Sequence, residues 1–280
     1  MSTVNNAVQL GPLLLPFSLL LVFASVGSAL FIGNRLGKKS GVDVENVLLR
    51  ILLVGLVVAR LGFVYEFRSA YLASPLDILD IRDGGWNPTA GLIAAWFYAL
   101  SRHRSRPELS RPLRGAMLAG TLLFVIGTGV LSVRPATGQT LPSMSFATVG
   151  GQTVRLDQFA GKPTVVNLWA TWCPPCVREM PVLQKAQKER PDVNFVFLNQ
   201  GESAEKVKTW LAGRGLDLNN VLIDGKGQAS AAFDQKGFPT SLFFDAEGRL
   251  TSVRIGELSI ATLRERLSRI TALGDQKSKE

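Results

Sequence analysis

The amino-acid sequence predicts an α-helical membrane domain of about four transmembrane helices, followed by an α/β domain. Long apolar runs fill the first half of the chain, whereas strand and helix patterns alternate in the second half. The 280 residues combine a mean hydropathy of +0.19 with a formal net charge of +9, which indicates that apolar and charged residues are segregated along the chain. The composition, with 46% hydrophobic and 19% charged residues, excludes a disordered chain.

Four apolar segments predict the membrane helices. Residues 1–34 carry no charged side chain, and residues 115–133 form a charge-free run of 19 residues, long enough as a helix to cross a hydrocarbon core of about 30 Å. The first segment lacks the basic start of a signal peptide, so we expect it to remain as a helix. Within a membrane domain of residues 1–137, the helices are expected near 11–33, 44–65, 85–101 and 115–133, and the third is the least apolar.

Basic residues in the connections predict how these helices are oriented. The connection at 102–114 contains five arginines and one acid, and the connection at 34–43 contains three basic residues, whereas the loop at 66–83 is acidic on balance. By the positive-inside rule, the two basic connections are cytoplasmic and both chain termini lie outside the cytoplasm. Residues 1–137 hold 13 basic and 7 acidic side chains, so +6 of the net charge of +9 lies here. We therefore interpret the charge as a topology signal, and we expect no nucleic acid partner.

The second half of the chain predicts an α/β domain over residues 138–274. A linker rich in Pro, Gly, Thr and Ser precedes it at 134–143, and a polar tail follows at 275–280. Alternating strands and helices are typical of α/β units, and two late strands predict an antiparallel edge. Strands are expected near 153–156, 162–170, 193–199, 220–223, 241–245 and 250–255, and helices near 174–190, 203–213, 227–234 and 259–272.

Both cysteines lie in the motif Trp172-Cys173-Pro174-Pro175-Cys176, directly after a predicted strand and at the start of a predicted helix. Thiol–disulfide exchange needs a thiolate, which the unpaired N–H groups and dipole of a helix N-terminus stabilise. A second thiol three positions later can then resolve a mixed disulfide. We expect Cys173 to be the exposed nucleophile and Cys176 the resolving thiol, and the prolines suit the first helical positions.

Other roles for the two cysteines are a structural disulfide, two idle buried thiols, or half of a zinc site. The chain has no second cysteine pair and a single histidine, His103. A zinc site needs about four such ligands, so we expect no metal site. One histidine also leaves little room for histidine-based catalysis.

Two stretches, VVNLWATWCPPCVREMP (165–181) and KGFPTSLFFDAEGRL (236–250), resemble a TlpA/ResA-type thioredoxin-like domain. The resemblance covers about half of the chain. It implies a thioredoxin-like fold for residues 138–274 and a redox-active Cys173–Cys176 disulfide. No cofactor is implied.

The same resemblance assigns supporting residues around the disulfide. It implies that Pro239 is a cis-proline beside the disulfide, where the backbone of Phe238-Pro239-Thr240 can pair with a substrate chain and the ring of Phe238 faces the substrate. Glu179 matches an acidic residue that tunes thiol reactivity, although a solvated helix carboxylate is the alternative. Asn167 stands where thioredoxins carry a buried Asp, so proton transfer by that route is not expected. The supporting residues are Trp172, Pro174, Pro175, Glu179, Phe238, Pro239 and Thr240.

A second resemblance lies in the membrane half. Residues 57–67 and 74–96 are similar to the N-terminal part of bacterial prolipoprotein diacylglyceryl transferase. Where that enzyme carries a histidine, this chain reads Trp86-Asn87-Pro88-Thr89, and the later helices of the enzyme have no counterpart. We therefore expect a reused membrane scaffold without lipid transfer. Arg60, inside a predicted helix, is expected to snorkel to the outer interface.

Together these observations predict a multi-pass protein of the bacterial inner membrane, with a periplasmic thioredoxin-like domain that exchanges thiols and disulfides with other proteins through a CPPC dithiol. The TlpA/ResA resemblance implies that this domain reduces protein disulfides. Expected partners are protein thiol or disulfide substrates, a membrane electron-donor or electron-acceptor protein, and the lipid bilayer. The resemblance implies a role such as keeping cysteines of cytochrome precursors reduced in cytochrome c biogenesis. The alternative is a copper(I) or haem-handling chaperone that uses the thiol pair as soft ligands.

Overall fold

The computed structural model describes residues 3–4, 7–10, 13–72, 75–133, 139–235 and 237–277. The chain divides into two compact units. Among the described residues, the helical unit comprises those from 7 to 133, and the C-terminal unit comprises 3–4 and those from 139 to 277. The first half of the predicted linker (134–138) and the end of the predicted polar tail (278–280) lie outside the described residues.

Short strands precede the first helix. These strands are β1 (Thr3–Val4), β2 (Ala7–Leu10) and β3 (Leu13–Pro16), and β2 pairs with β3 in antiparallel register. The first long helix, α1, spans Phe17–Lys39 instead of the predicted 11–33. The prediction was wrong at this end because Pro16 disfavours a helical conformation at the residue before it, so the helix starts only after the proline.

Four long helices form the described part of the helical unit. They are α1, α2 (Glu45–Glu66), α4 (Pro88–Ser105) and α5 (Ser110–Val133), and a single turn, α3 (Arg68–Tyr71), follows α2. Within the described residues, three helical segments are long and apolar enough to cross a membrane, namely Phe17–Lys39, Glu45–Glu66 and Pro107–Leu131. The predicted number of about four membrane helices therefore holds approximately, with α4 the least apolar.

The helices of this unit pack in two pairs, α1 with α5 and α2 with α4. Small residues line the second contact. A Cβ atom on Gly91 of α4 would lie 2.8 Å from both the Cβ of Ala59 and the carbonyl oxygen of Gly55 on α2. Such close backbone approach is how membrane helices gain packing energy without a hydrophobic driving force.

Arg60 does not snorkel to the interface, contrary to the expectation. Its side chain is buried, and its Nη1 lies 3.0 Å from Oδ1 of the buried Asp83. The guanidinium also donates hydrogen bonds to four backbone carbonyls between residues 77 and 85. A buried charge is tolerated only when paired and fully hydrogen-bonded, and the loop after α3 supplies both. Tyr71 completes the cluster by donating from its hydroxyl to Asp83.

The C-terminal unit is a mixed α/β sheet flanked by helices, which confirms the predicted fold class. Its strands are β4 (Ser145–Thr148), β5 (Thr153–Arg155), β6 (Thr164–Trp169), β7 (Asn194–Gln200), β8 (Val221–Asp224), β9 (Thr240–Phe244) and β10 (Leu250–Ile255). Its helices are α6 (Pro174–Glu189), α7 (Ala204–Gly213), α8 (Gln228–Ala232) and α9 (Ile260–Lys277).

Among the described residues this sheet has the strand order β10-β9-β6-β7-β8-β4-β5. The three strands β6, β7 and β8 are parallel, and the hairpin of β9 and β10 adds the predicted antiparallel edge. Because β6 is central, it is buried along its whole length, which explains its nearly continuous apolar sequence.

Alternate residues of β6 face two separate apolar clusters. Val165 and Trp169 join the cluster that includes Leu183 of α6 and Leu263 of α9, whereas Val166 and Leu168 join the cluster on the other face of the sheet. By the two-residue period of a strand, Asn167 shares its face with Val165 and Trp169. This face carries α6 and therefore the cysteine motif.

Candidate active site

The cysteine motif occupies the turn between β6 and the N-terminus of α6. Cys173 is the residue before the helix, and Pro174 and Pro175 are its first two positions, as expected. Cys173 and Cys176 form a disulfide with a Cα–Cα distance of 5.3 Å. The backbone N–H of Cys176 donates to Sγ of Cys173 at 3.3 Å. This sulfur therefore receives the hydrogen bond that would stabilise a thiolate once the disulfide is reduced.

The expectation of an exposed Cys173 is wrong for this disulfide form. Cys173 is 3% exposed and Cys176 is fully buried. Both belong to the apolar cluster on the α6 face of the sheet, and Phe238 packs against that cluster. A position at a helix N-terminus fixes the hydrogen bonding of a sulfur but not its exposure, which depends on what distant segments place over it.

An aromatic pair marks the surface beside the motif. Trp172 is 63% exposed, and its ring meets the ring of Phe238 edge to face, with 6.1 Å between centroids. The Phe238–Pro239 peptide bond is cis, as the resemblance implies. Thr240 is the first residue of β9, is buried, and donates from its hydroxyl to the carbonyl of Gly237 at 2.7 Å, which closes the turn before the strand.

Glu179 is not the solvated carboxylate that the sequence left as an alternative. It is fully buried on α6, on the same face as Cys176 one turn earlier. Its Oε1 accepts from Nδ2 of Asn167 at 2.8 Å, and its Oε2 accepts from the backbone N–H of Leu258 at 3.0 Å. Burial raises the pKa of Glu179 to about 8, although these two hydrogen bonds oppose the rise.

Asn167 therefore has a structural role that the sequence did not suggest. Its Nδ2 also donates to Oγ of Ser241 on β9 at 3.0 Å, so one amide connects α6, β6 and β9. The residue that replaces the buried Asp of thioredoxins thus holds Glu179 in place. A buried carboxyl group is still present between α6 and the sheet, but it belongs to Glu179 on α6 and not to a residue of β6.

An ion pair joins the two residues that precede Glu179 and Leu258 in the chain. Arg178 on α6 binds the carboxylate of Glu257 through Nε and Nη2, at 3.0 Å and 2.6 Å from Oε2. Glu257 directly precedes Leu258, whose N–H contacts Glu179. The pair therefore fixes the segment that buries Glu179, and the negative charge of Glu257 adds to the rise in its pKa.

Sequence reasoning missed Glu202, a buried carboxylate that holds the start of the motif. Its Oε2 accepts from the N–H of Thr171 at 2.7 Å, and its Oε1 accepts from the Thr171 hydroxyl at 2.6 Å. Asn199 and Lys206 supply further contacts at 2.9 Å and 2.7 Å. Burial raises the pKa of Glu202, but the hydrogen bonds from Lys206, Thr171 and Asn199 outweigh it and lower the pKa to about 2.

The sequence did contain a signal for this contact. Thr171 follows the end of β6 and Glu202 follows the end of β7, and these strands are parallel neighbours. The carboxyl ends of parallel strands meet at one edge of a sheet, which is where functional groups of open α/β sheets gather. An acid just past β7 was therefore a candidate to contact the motif just past β6.

Comparison with known proteins identifies the family of this fold and site. The redoxin family model matches residues 136–267. Thioredoxin-like protein YneN from Bacillus subtilis (strain 168) is 33% identical over 133 residues, which are 46% of this chain and 78% of that protein. The chain belongs to the redoxin family of thioredoxin-like proteins.

Other relatives of this redoxin have names that state an activity. Thiol-disulfide oxidoreductase ResA from Geobacillus thermodenitrificans (strain NG80-2) is 28% identical over 48% of this chain and 78% of that protein. Thiol:disulfide interchange protein DsbE from Vibrio cholerae serotype O1 (strain ATCC 39315 / El Tor Inaba N16961) is 29% identical over 47% of this chain and 71% of that protein. With a Cys-Pro-Pro-Cys disulfide in the same domain, this redoxin is an oxidoreductase of the thioredoxin-like class.

The helical unit of the redoxin matches a different family. The family model of prolipoprotein diacylglyceryl transferase matches residues 5–134, which confirms the second resemblance. At the position where the resemblance expects a histidine, Asn87 caps helix α4, and its Oδ1 accepts from the N–H of Ala90 at 3.0 Å. This residue therefore serves the start of a helix.

Proposed function

We propose that this chain is a membrane-anchored, extracytoplasmic reductase of protein disulfides. The Cys173–Cys176 disulfide at the N-terminus of α6, with the Cys176 N–H directed at Sγ of Cys173, is the observation that carries the proposal. Only the thiolate attacks a disulfide, and this position lowers the pKa of a thiol. In the reduced protein, Cys173 is the nucleophile and Cys176 the resolving thiol.

The reaction is two exchanges that move two electrons to the substrate. The Cys173 thiolate attacks one sulfur of a substrate disulfide, so a mixed disulfide forms and the second substrate sulfur leaves as a thiolate. Cys176 loses its proton and attacks Sγ of Cys173, which forms the enzyme disulfide and releases the first substrate sulfur as a thiolate. Both substrate thiolates take up protons, and the protein is left oxidised.

In its ionised form, Glu179 is the proposed acceptor of the Cys176 proton. It lies on the same face of α6 as Cys176, and both side chains are buried. An effective general base has a pKa near the working pH, and burial brings the pKa of Glu179 to about 8. Asn167 and Leu258 hold the carboxyl group in one orientation.

The surface around Trp172 and Phe238 is the proposed substrate contact. The exposed ring of Trp172 against the half-buried ring of Phe238 offers apolar area at low conformational cost, which suits recognition of varied polypeptides. We propose that Pro239 flanks the disulfide and that a substrate chain pairs with the backbone near Thr240. In this arrangement a substrate sulfur would line up with Sγ of Cys173.

The four long helices α1, α2, α4 and α5 are the proposed membrane anchor. As the enzyme ends each cycle oxidised, it needs an electron donor, and a membrane protein that carries electrons to the thiols is the proposed partner. The basic connections support a cytoplasmic location for the residues around 34–43 and 102–114, with the C-terminal unit on the other side. We propose that the helical unit, related to the lipid transferase, serves as the scaffold.

Trapping of mixed disulfides tests this function. Cys176→Ala should accumulate mixed disulfides between Cys173 and partner proteins in the membrane, because the resolving step is lost, whereas Cys173→Ala should accumulate none. Both variants retain one thiol, so each is the control for the other. Equal trapping would contradict the assigned roles. Stoichiometric copper(I) binding by the reduced wild type, without turnover of protein disulfides, would favour the metal-chaperone alternative.

A further inference from the structure

The helical unit contains a basic pocket at the end where α2 begins and α4 ends. Its volume is about 330 Å³. Arg50 of α2, with Arg102 and Arg106 at the end of α4, lines the pocket together with Asn46 and Asp43. We call this the arginine pocket. It lies between the two connections whose basic residues predict the cytoplasmic side.

The three arginines of the arginine pocket, Arg50, Arg102 and Arg106, form no ion pair with any residue that the structure describes. The one lining acid, Asp43, accepts a hydrogen bond from the N–H of Glu45. Three guanidinium groups around one cavity repel one another, and a bound anion would relieve that repulsion.

One of these arginines is already held in place. Nε and Nη2 of Arg102 lie 3.2 Å and 2.9 Å from the hydroxyl oxygen of Tyr98, and its guanidinium stands 5.0 Å from the centre of the Tyr98 ring. A fixed guanidinium loses less conformational entropy when it binds an anion. The planar fork of arginine matches the oxygens of a phosphate group.

We propose that the arginine pocket binds the phosphate of an anionic phospholipid headgroup. Basic pockets between transmembrane helices at the cytoplasmic side are suited to such headgroups. The face of α2 that carries Asn46 and Arg50 continues, at helical spacing, with Leu53 and Val57, which are 61% and 49% exposed. These side chains offer an apolar path for an acyl chain directly beside the headgroup site, which a free phosphate ion would not use.

The test compares two double variants of the full chain that remove the same charge. Arg50→Gln/Arg106→Gln alters the arginine pocket, and the control Arg104→Gln/Arg111→Gln alters exposed arginines at the same end of the helices. None of the four side chains makes a hydrogen bond to another described residue, so all variants should fold. Native mass spectrometry in neutral detergent then measures the binding of cardiolipin, of phosphatidylcholine and of inorganic phosphate.

We expect the wild type to prefer cardiolipin over phosphatidylcholine. The pocket variant should bind cardiolipin about tenfold more weakly, because the loss of one or two charge-assisted hydrogen bonds lowers the affinity by at least that factor. The affinity of the control variant should change by less than about twofold. An equal loss in both double variants would overturn the proposal in favour of unspecific charge attraction. A wild type that binds inorganic phosphate in the pocket but shows no preference for cardiolipin would overturn the lipid assignment.

Discussion

Among single residues, Glu179 makes the sharpest prediction because its protonation should couple to stability. Its pKa rises from about 4.5 in the unfolded chain to about 8 in the folded protein, so the folded state retains a proton that the unfolded state releases between these values. The stabilisation that this retained proton contributes is therefore fully present below about pH 4.5 and is lost as the pH rises towards 8.

Glu179→Gln should remove this pH dependence. The measurement is the free energy of unfolding of the isolated fragment 139–280, which contains both apolar clusters of the C-terminal unit, at several pH values between 5 and 8. The unfolding free energy of the wild type should fall more steeply with pH than that of the variant, and the two slopes should differ by up to about 1.4 kcal/mol per pH unit. Glu205→Gln, at an exposed position on α7, is the control and should behave as the wild type. Parallel curves for wild type and Glu179→Gln would refute a buried, protonated Glu179.

Glu202 gives a second prediction for a single side chain. A glutamine offers one acceptor oxygen in place of two, so Glu202→Gln leaves either Thr171 or Lys206 without its partner. We expect a loss of about 1–3 kcal/mol in unfolding free energy and slower mixed-disulfide formation, since Thr171 leads into the cysteine motif. Denaturant unfolding and stopped-flow exchange measure the two effects. If Glu202→Gln matched Glu205→Gln in both, the carboxylate would not position the motif.

At the scale of elements, the β6–α6 unit determines the difference in reactivity between the thiols of Cys173 and Cys176. Cys173 accepts an N–H at the helix N-terminus, and Cys176 lies inside the first turn with no exposed surface. In the reduced protein, we expect iodoacetamide to modify Cys173 faster than Cys176, with the reaction at Cys173 persisting to lower pH. Peptide mass spectrometry after short labelling measures both rates. Equal rates in the folded protein would contradict the roles assigned to the two cysteines.

The elements also show what could be predicted from the sequence and what could not. The buried strand β6 and the amphipathic helix α6 follow from local patterns, and the cysteine motif between them indicated its chemistry directly. Strand β4 was missed because its four residues carry no distinctive pattern, and it forms through pairing with β8 and β5.

The burial of Glu179 was only partly visible in the sequence. Its spacing from Cys176 and Leu183 places it on the apolar face of α6, which was an available signal. The residue that completes its environment, Leu258, comes 79 positions later. Likewise, the salt bridge between Arg60 and Asp83 depends on how the loop after α3 folds. The sequence pattern alone therefore suggested that Arg60 snorkels. Such contacts between distant segments cannot be read from a local pattern.

For the whole molecule, the orientation in the membrane decides where the thiols work. A reporter enzyme that is active only outside the cytoplasm should be active when fused after Lys279 and silent when fused after Arg106. The reason is that Arg106 lies in the strongly basic connection between α4 and α5, which the positive-inside rule places in the cytoplasm. Reporter activity in cells measures the location. The reverse pattern would place the dithiol in the cytoplasm and contradict the proposed compartment.

The direction of electron flow is the central claim for the whole molecule, and the equilibrium reduction potential of the Cys173–Cys176 pair tests it most directly. The full chain in detergent is equilibrated with glutathione or dithiothreitol buffers, and the oxidised fraction is counted by mass after alkylation. A reductase of protein disulfides should have a potential closer to the value of about −270 mV for thioredoxin than to that of about −120 mV for the oxidant DsbA. A potential at or above about −180 mV, the value for protein disulfide isomerase, would contradict a reducing role.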